Sequence, residues 1–334
     1  MIAIHNREGS FSELWVNYCE VNNLKYKIVD CYSNDIVRDL EDCDFLLWHW
    51  IQNDIRSLLI AKSLIFALQS NGLKIFPNID TCWHFDDKLA QKYHLESINA
   101  SHVKSYVFYD HSSAMEWVNK TEFPKVFKLR GGAGGENVKL IKSKNAAKWY
   151  IRKAFTTGLT SPRTHEIVER FWHFKRDRSI ASFFNIMRGL FRLFRRNKMK
   201  AKLPIQRNYV YCQDFIPNND HDIRVIVIGK RAFAIKRMVR ENDFRASGSG
   251  IIIYDPGEIP DQCVKDAFQL TKELHMQCAV FDFIFLNRQP HAIEISYSFS
   301  SKAYLNCPGY WDSDLNWISG PFVPEHFMIE DLLS

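Results

Sequence analysis

Two nearly continuous apolar runs, AVFDFIFL and PHAIEIS, follow one another across the polar link Asn287-Arg288-Gln289, and each carries a single carboxylate, Asp282 or Glu294. Both read as strands, and together they form a closing strand pair. A carboxylate with apolar neighbours along its strand is costly to bury unless a cation or a base compensates it. Two such strands side by side suggest magnesium. Any fold for this chain must therefore bring positive charge to this strand pair.

At 334 residues the chain exceeds what one hydrophobic core usually serves, so more than one domain is expected. Residues 1–80 alternate short apolar runs (IAIHN, YKIVD, DFLLWHW, LKIFPN) with helical patterns (SFSELWVNYCEVNN, DIVRDLEDC, SLLIAKSLIFALQSNG), which implies a small parallel α/β sheet. A second region spans 81–208 and a third 209–334. Apolar residues at 46% and charged residues at 25% are globular proportions and exclude a disordered or fibrous chain. The eight cysteines are scattered without a CxxC pair or a cysteine-histidine spacing suited to zinc, so reduced, mostly buried thiols are expected. The start MIAIHNREGSF lacks a signal peptide's basic and apolar regions, and no window approaches the ~18 apolar residues of a membrane span. A cytoplasmic location is the expectation.

The stretch VFKLRGGAGGENVKL places four glycines between two strand-like runs, with Lys128 at the mouth. Taken alone it is a weak signal. It fits neither the P-loop nor the dinucleotide fingerprint, since no Gly-Lys-Ser/Thr follows and a strand rather than a helix comes next. Yet a loop without bulky side chains can bring several backbone N–H groups against phosphate oxygens, and the adjacent lysine adds a point charge. Lys88 follows two helix-capping aspartates, Asp86 and Asp87, on a helix whose apolar side carries Leu89, Tyr93 and Leu95. Further on, QDFIP follows a strand where the chain crosses between lobes.

Charge is concentrated in residues 163–207, with thirteen Lys and Arg against three Asp and Glu. There SIASFFNIMRGLFRLFRRNKMK spaces Ile180, Phe183, Phe184, Met187, Leu190, Phe191 and Phe194 helically, with arginines mainly opposite. This reads as a basic amphipathic insertion at about 155–207. It either lies on an anionic membrane surface or an acidic polymer, or packs its aromatic face on the neighbouring lobe. Nucleic acid is not expected, since no recognised binding module accompanies the charge.

The order of these pieces (lysine, lysine with glycine hairpin, hinge, arginine strand, paired carboxylates) resembles the ATP-grasp superfamily, which includes glutathione synthetase, D-alanine:D-alanine ligase and the peptide-extending glutamate ligases. The resemblance covers about 81–300, and the first 80 residues look like the α/β domain that precedes the grasp. It implies two α+β lobes clasping ATP after a small parallel pre-grasp domain. It further implies that Lys88 and Lys128 hold the α- and β-phosphates, with Gly131, Gly132, Gly134 and Gly135 as a lid. Gln213, Asp214, Phe215 and Ile216 match the hinge that meets the adenine, and His221 or Asp222 matches the ribose side. Arg237 matches the arginine that steadies the transferred phosphoryl group. Arg224 faces the cleft, and Lys236, Arg240 and Arg245 are second candidates for phosphate or substrate carboxylate. The metal set would be Asp282, Glu294 and Ser296, the serine standing where the superfamily commonly has asparagine.

The chemistry so implied is ATP-dependent joining of a carboxylate to an amine through an acylphosphate, with ATP and one or two magnesium ions as cofactors. Phosphoryl transfer asks the protein mainly for positioning and charge neutralisation, which suits a chain rich in Lys, Arg and paired carboxylates without an obvious nucleophile. The tail YSFSSKAYLNCPGYWDSDLNWISGPF resembles tails of ATP-grasp proteins linked to bacterial surface polysaccharide synthesis, which implies an amide on a sugar, uronic acid or glycan precursor. Tyr304, Tyr310, Trp311 and Trp317 either stack on sugar faces or belong to the core. Two rival classes are a kinase that phosphorylates a small molecule and a non-catalytic nucleotide-binding partner in glycan assembly.

Overall fold

The computed structural model describes residues 1–52, 54–131, 137–160, 187, 205–241 and 243–334. Strands β1 (Ile2–Ile4), β2 (Tyr26–Ile28), β3 (Phe45–Leu47) and β4 (Lys74–Phe76) form the expected parallel sheet in the order β2-β1-β3-β4. The central strands are continuous apolar runs because a parallel sheet is covered on both faces. Helix α1 (Phe11–Val21) turns Phe11, Trp15 and Cys19 inward at a four-residue spacing. Helix α3 (Ile55–Ser70) starts where Asp54 accepts from the Arg56 amide, and it buries Ala61, Ile65 and Leu68. The run DIVRDLEDC yields only α2 (Ile36–Asp39), because i→i−3 bonds at Leu40, Glu41 and Cys43 close the chain into turns.

After a short α4 (Ile79–Cys82), helix α5 (Lys88–Ser97) begins at Asp87, whose side chain accepts from the amides of Leu89 and Ala90. Its buried stripe is Lys88, Gln91 and Leu95 rather than an apolar one, and Tyr93 is 44% exposed. The expected apolar side is thus corrected by one position of helical phase, which brings a lysine inside.

The chain divides into two compact units, residues 1–104 with 216–334, and residues 105–215. This partition differs from the three-part reading of the sequence, and the reason lies in the core of the first unit. There β9 (His221–Ile228), β10 (Arg231–Met238), β12 (Cys278–Leu286), β13 (Gln289–Ser296), β14 (Gly309–Asp312) and β15 (Trp317–Ser319) pair antiparallel in the order β13-β12-β9-β10-β14-β15. Strand β11 (Ile252–Ile253) adds to β10. Side chains alternate between the faces of a strand. One face gives Ile223, Val225, Val227, Ala279 and Phe281 to a core with helix α8 (Asp261–Glu273), whose Cys263, Ala267 and Leu270 face it. The other gives Ile226, Ile228, Phe233, Ile235 and Val280 to a core with Ile2, Ile4, Phe11, Trp15 and Phe76 of the first sheet. Helix α9 (Pro324–Leu333), unforeseen from the sequence, closes this second core with Phe327, Met328, Ile329 and Leu332. One face of the first sheet therefore shares its core with the C-terminal sheet, while the other buries Ala3, Leu46, Trp48, Ala61 and Ile65 in a core that, among the described residues, takes only Tyr297 from beyond residue 85.

The second unit is a sheet of order β5-β8-β6-β7, formed by β5 (Ser105–Phe108), β6 (Lys125–Lys128), β7 (Val138–Ile141) and β8 (Val210–Asp214), all pairs antiparallel. Helices α6 (His111–Lys120) and α7 (Lys144–Phe155) supply Ala114, Val118, Ala147 and Ile151 to its core with Phe127 and Cys212. The basic segment 163–207, with its predicted amphipathic helix, lies almost wholly outside the described residues. Its base is visible: Leu159 and Gln206 exchange two 2.8 Å backbone hydrogen bonds. Gly158 permits this approach, having φ +81° and a position where a Cβ would fall 2.3 Å from Ile205 Cγ2. Among the described residues no helix is long and apolar enough to cross a membrane.

Two buried histidines contribute to the acid response of the first unit. Burial pushes His84 and His49 down to about 3, from 6.5 when exposed. The unfolded chain takes up these protons first, so the stability of the neutral rings is complete above pH ~6.5 and falls as pH drops toward ~3. His84 has both ring nitrogens buried without a hydrogen-bond partner among the described residues. We expect urea denaturation to lose up to ~1.4 kcal/mol per pH unit for each histidine over this window, and His84→Leu to flatten the slope.

Candidate active site

The strand face that is apolar toward the first sheet becomes charged at its other end. Residues Asp222 and Arg224 of β9, Arg237 of β10, Asp282 of β12 and Glu294 of β13 share that face by alternation. Register sets them in rows: Glu294 opposes Asp282, Asp282 opposes Arg224, and Arg237 opposes Asp222. The Arg224 guanidinium grips Asp282 with two bonds, Nε to Oδ1 at 2.6 Å and Nη2 to Oδ2 at 2.7 Å. Arg237 donates from Nε to Asp222 Oδ1 at 2.8 Å and from Nη2 to Asp222 Oδ2, and its Nη2 also lies 2.9 Å from Asp282 Oδ2. Asp222 and Asp282 are 1% and 5% exposed.

Two arginines thus balance two aspartates in a nearly dry cluster, and the balance is uneven. Burial raises Asp222 to about 6, against the pull of Arg237 and with the push of the Asp282 charge. Burial acts the same way on Asp282, but Arg224 and Arg237 together outweigh it and hold that carboxyl well below the usual range. Both arginines are held firmly protonated, the carboxylates outweighing the burial that opposes their charge. Beside them Lys88, 4% exposed at the first position of α5, places Nζ 3.5 Å from Glu294 Oε1. Ser296 shares the face of Glu294, two residues on; its Oγ accepts from the Ser298 amide at 3.1 Å.

Three further candidates make their contacts elsewhere. Lys236 neighbours Arg237 but points to the opposite face, where Nζ meets Glu258 at 2.7 Å. Arg245 turns onto Asp243, with Nη2 to Oδ2 at 2.6 Å, and Arg240 donates to the Gly248 carbonyl. In the second unit, Lys128 donates to Gln213 Oε1 at 2.7 Å, while Gln213 Nε2 at 3.1 Å and the Tyr211 hydroxyl at 3.0 Å reach Ser105 Oγ. Asp214 is on the other face of β8, where Lys125 Nζ holds it. Its carboxylate and the Lys128 ammonium therefore face opposite sides of the sheet. Gly131 accepts from Asn137 Nδ2 at 2.9 Å; Gly132, Gly134 and Gly135 lie outside the described residues. Phe215 and Ile216 follow β8, and the two units meet in the chain between them.

The aromatic tail resolves toward packing. Tyr304 and Trp311 are buried, Trp311 lies edge-on to Trp317 at 4.7 Å, and Tyr310 packs against Phe322 and Phe327. The Tyr304 ring meets Phe233 and Phe299 edge-on, but its buried hydroxyl has no hydrogen-bond partner among the described residues. Burial raises its pKa, and the charges of Arg224, Arg237 and Asp282 also bear on it. Nothing in an aromatic-rich tail distinguishes this tyrosine in sequence.

An antiparallel sheet with arginines and carboxylates in register and a buried lysine beside them, and a separate antiparallel sheet that carries Lys128, are the elements of an ATP-grasp fold. Residues 189–305 match the family model of the RimK-like ATP-grasp domain. Solved structures agree on the fold. A RimK domain ATP-grasp protein from Sphaerobacter thermophilus aligns over 99% of this chain and 98% of its own, at TM-score 0.56 and 14% identity. The D-alanine–D-alanine ligase of Bacillus anthracis, complexed with ATP, aligns over 91% and 89%, at 0.53 and 13%. The biotin carboxylase domain of the Hydrogenobacter thermophilus 2-oxoglutarate carboxylase, in complex with MgADP, ADP and bicarbonate, aligns over 100% of this chain and 69% of its own, at 0.58 and 10%. Comparison with curated proteins finds no significant match.

The cluster sets a stability expectation. Removing one partner of a buried ion pair strands the other charge. Arg224→Ala should cost ~3–5 kcal/mol in urea denaturation, whereas Lys236→Ala and Arg245→Ala should cost within ~1 kcal/mol.

Proposed function

We propose that the protein is an ATP-dependent ligase that activates a carboxylate as an acylphosphate and passes the acyl group to an amine, releasing ADP and phosphate. The observation that carries this reading is the arginine–carboxylate cluster on one sheet face with Lys88 and Glu294 beside it. In-line phosphoryl transfer needs positioned positive charge around a migrating anionic group. Arg237 and Arg224 would meet that group, exchanging part of their hold on Asp222 and Asp282 for phosphoryl oxygens. Lys88 would hold nucleotide phosphates in the first unit. In the second, Lys128 would do so with the backbone of the hairpin at Gly131, Gly132, Gly134 and Gly135, while Gln213 through Ile216 offer backbone groups to the adenine. Gln213, anchored on Ser105, would keep the Lys128 ammonium aimed.

Magnesium fits the donors present. Asp282 and Glu294 are opposed hard oxygen ligands on one face with Ser296 two residues on, and among the described residues no cluster of three or more acidic, histidine or cysteine side chains accompanies them. A pair of carboxylates leaving the remaining positions to phosphates and water is how proteins hold magnesium at nucleotides. When bound, the ion would neutralise phosphate charge. The chain's own part is to supply Asp282 and Glu294 and to move Arg224, Arg237 and Lys88 toward the phosphates as those carboxylates are taken up.

For the substrate we propose a carboxylate on a sugar, uronic acid or glycan precursor, amidated in bacterial surface polysaccharide synthesis. The resemblance of the C-terminal tail supports this, and the reaction would take place in the cytoplasm. Mixtures of uronates and amino acids with ATP and magnesium should give ADP and a product lighter by one water than its parts, read by mass spectrometry. Lys128→Ala and Glu294→Gln should each lower turnover by about 10²-fold or more. Repeated turnover to a stable phosphorylated product, with ADP formation independent of any amine, would make the protein a kinase instead, and absence of ADP with every acceptor would remove the catalytic reading.

A further inference from the structure

In the first sheet, β1 leads through α1 to β2 on one side, and β3 leads through α3 to β4 on the other. Connections that diverge from neighbouring parallel strands leave a crevice at their carboxyl ends, and ligands of open α/β sheets bind there. The crevice here is bounded by the loop after β1, which carries Arg7, and by the residues after β3, which include His49. A third segment reaches it, for His49 Nε2 lies 2.8 Å from Ser298 Oγ, two residues past Ser296.

The hydrogen bonds fix the state of His49. The Phe11 amide, which can only donate, points at Nδ1 from 3.2 Å, and the Ser10 hydroxyl lies 3.0 Å from the same nitrogen. Nδ1 therefore presents its lone pair and Nε2 carries the proton. The ring is stacked on Phe11 at 3.8 Å and buried, so the tautomer and the orientation are both held. His49 consequently donates to Ser298 and cannot take its proton, which excludes a serine nucleophile activated by this histidine. The Ser298 oxygen is occupied as acceptor, and its own proton is left to donate. It has no acceptor among the described residues.

The loop after β1 carries a cation in the same condition. Arg7 is half-buried, its amide is fixed by Ser12 Oγ at 3.0 Å, and its guanidinium contacts the Glu8 carbonyl at 3.4 Å. It makes no ion pair among the described residues, and its charge reaches both His49 and Tyr297. A fixed hydroxyl donor and an unneutralised guanidinium at a ligand crevice match an anion of carboxylate geometry. We infer that Arg7 and Ser298 form a subsite for a substrate carboxylate distinct from the reacting one, with His49 as the residue that positions Ser298. The assignment to a substrate rests on the ligase reading above; the anion site itself does not.

The test is nuclear magnetic resonance on the full chain with 15N-labelled histidine, His49 being identified by its loss in His49→Phe. Wild type should show His49 as the Nε2–H tautomer, with resonances that shift saturably on addition of glutarate, L-glutamate or D-glucuronate. Arg7→Gln and Ser298→Ala, both at incompletely buried positions, should each weaken that saturation at least tenfold. A proton on Nδ1, no response to any of the three acids in wild type, or variants that saturate within twofold of wild type would each overturn the subsite. A parallel thermal-shift titration of wild type with ATP and magnesium separates the two readings. Carboxylate binding without nucleotide binding would sink the ligase and keep the subsite; the reverse would sink the subsite alone.

Discussion

Asp282 is where the first unit commits itself. A carboxylate in the middle of AVFDFIFL must be buried once the strand joins the sheet, and its burial is tolerable only because Arg224 and Arg237 arrive from the two strands on its far side. That requirement fixes register. Shifting β9 by one residue would turn Arg224 to the α8 face and bring Ile223 or Val225 against the acid. The same parity that gathers the charges at one end of the face gathers Ile226, Ile228, Phe233 and Val280 at the other, so a single alternation builds the site and the core beneath it.

The arginines also have a double character. In the structure they neutralise aspartates, and in the proposed reaction they face phosphoryl oxygens and magnesium takes a share of the carboxylates. A site that is charge-balanced when empty avoids the cost of a bare anionic pocket, and each incoming ion then exchanges one partner for another of like charge. Glu294 and Lys88 stand in the same relation at the edge of the cluster.

How far these features could be read beforehand depended on whether they were local. Strands such as IAI and FDFIF, and helices such as α1 and α3, are visible because apolar runs and four-residue spacings declare them. The face of a strand residue is also local information, since neighbours alternate. Lys236 beside Arg237 and Asp214 beside Gln213 were both grouped by adjacency when alternation sends each pair apart. The phase of α5 was obscured for a physical reason: its inward stripe includes a lysine and a glutamine, which an apolar count discards. The shared core of the first sheet and the C-terminal strands was not legible at all. It joins residues some two hundred positions apart, and nothing in the composition of residues 1–80 marks one of its faces as destined for a distant partner. His49 and Ser298, 249 positions apart, were hidden in the same way.

The paired bonds between Leu159 and Gln206 give the basic segment a particular standing in the chain. Leu159 and Gln206 lie side by side, as the two ends of a hairpin loop do, so the length of chain between them can change without moving α7 or β8. The entropy of closing such a loop grows only with the logarithm of its length, roughly 0.6 kcal/mol per doubling. A longer or shorter segment between Leu159 and Gln206 would therefore cost little in closure entropy and leave in place the strands that carry Lys128 and Gln213.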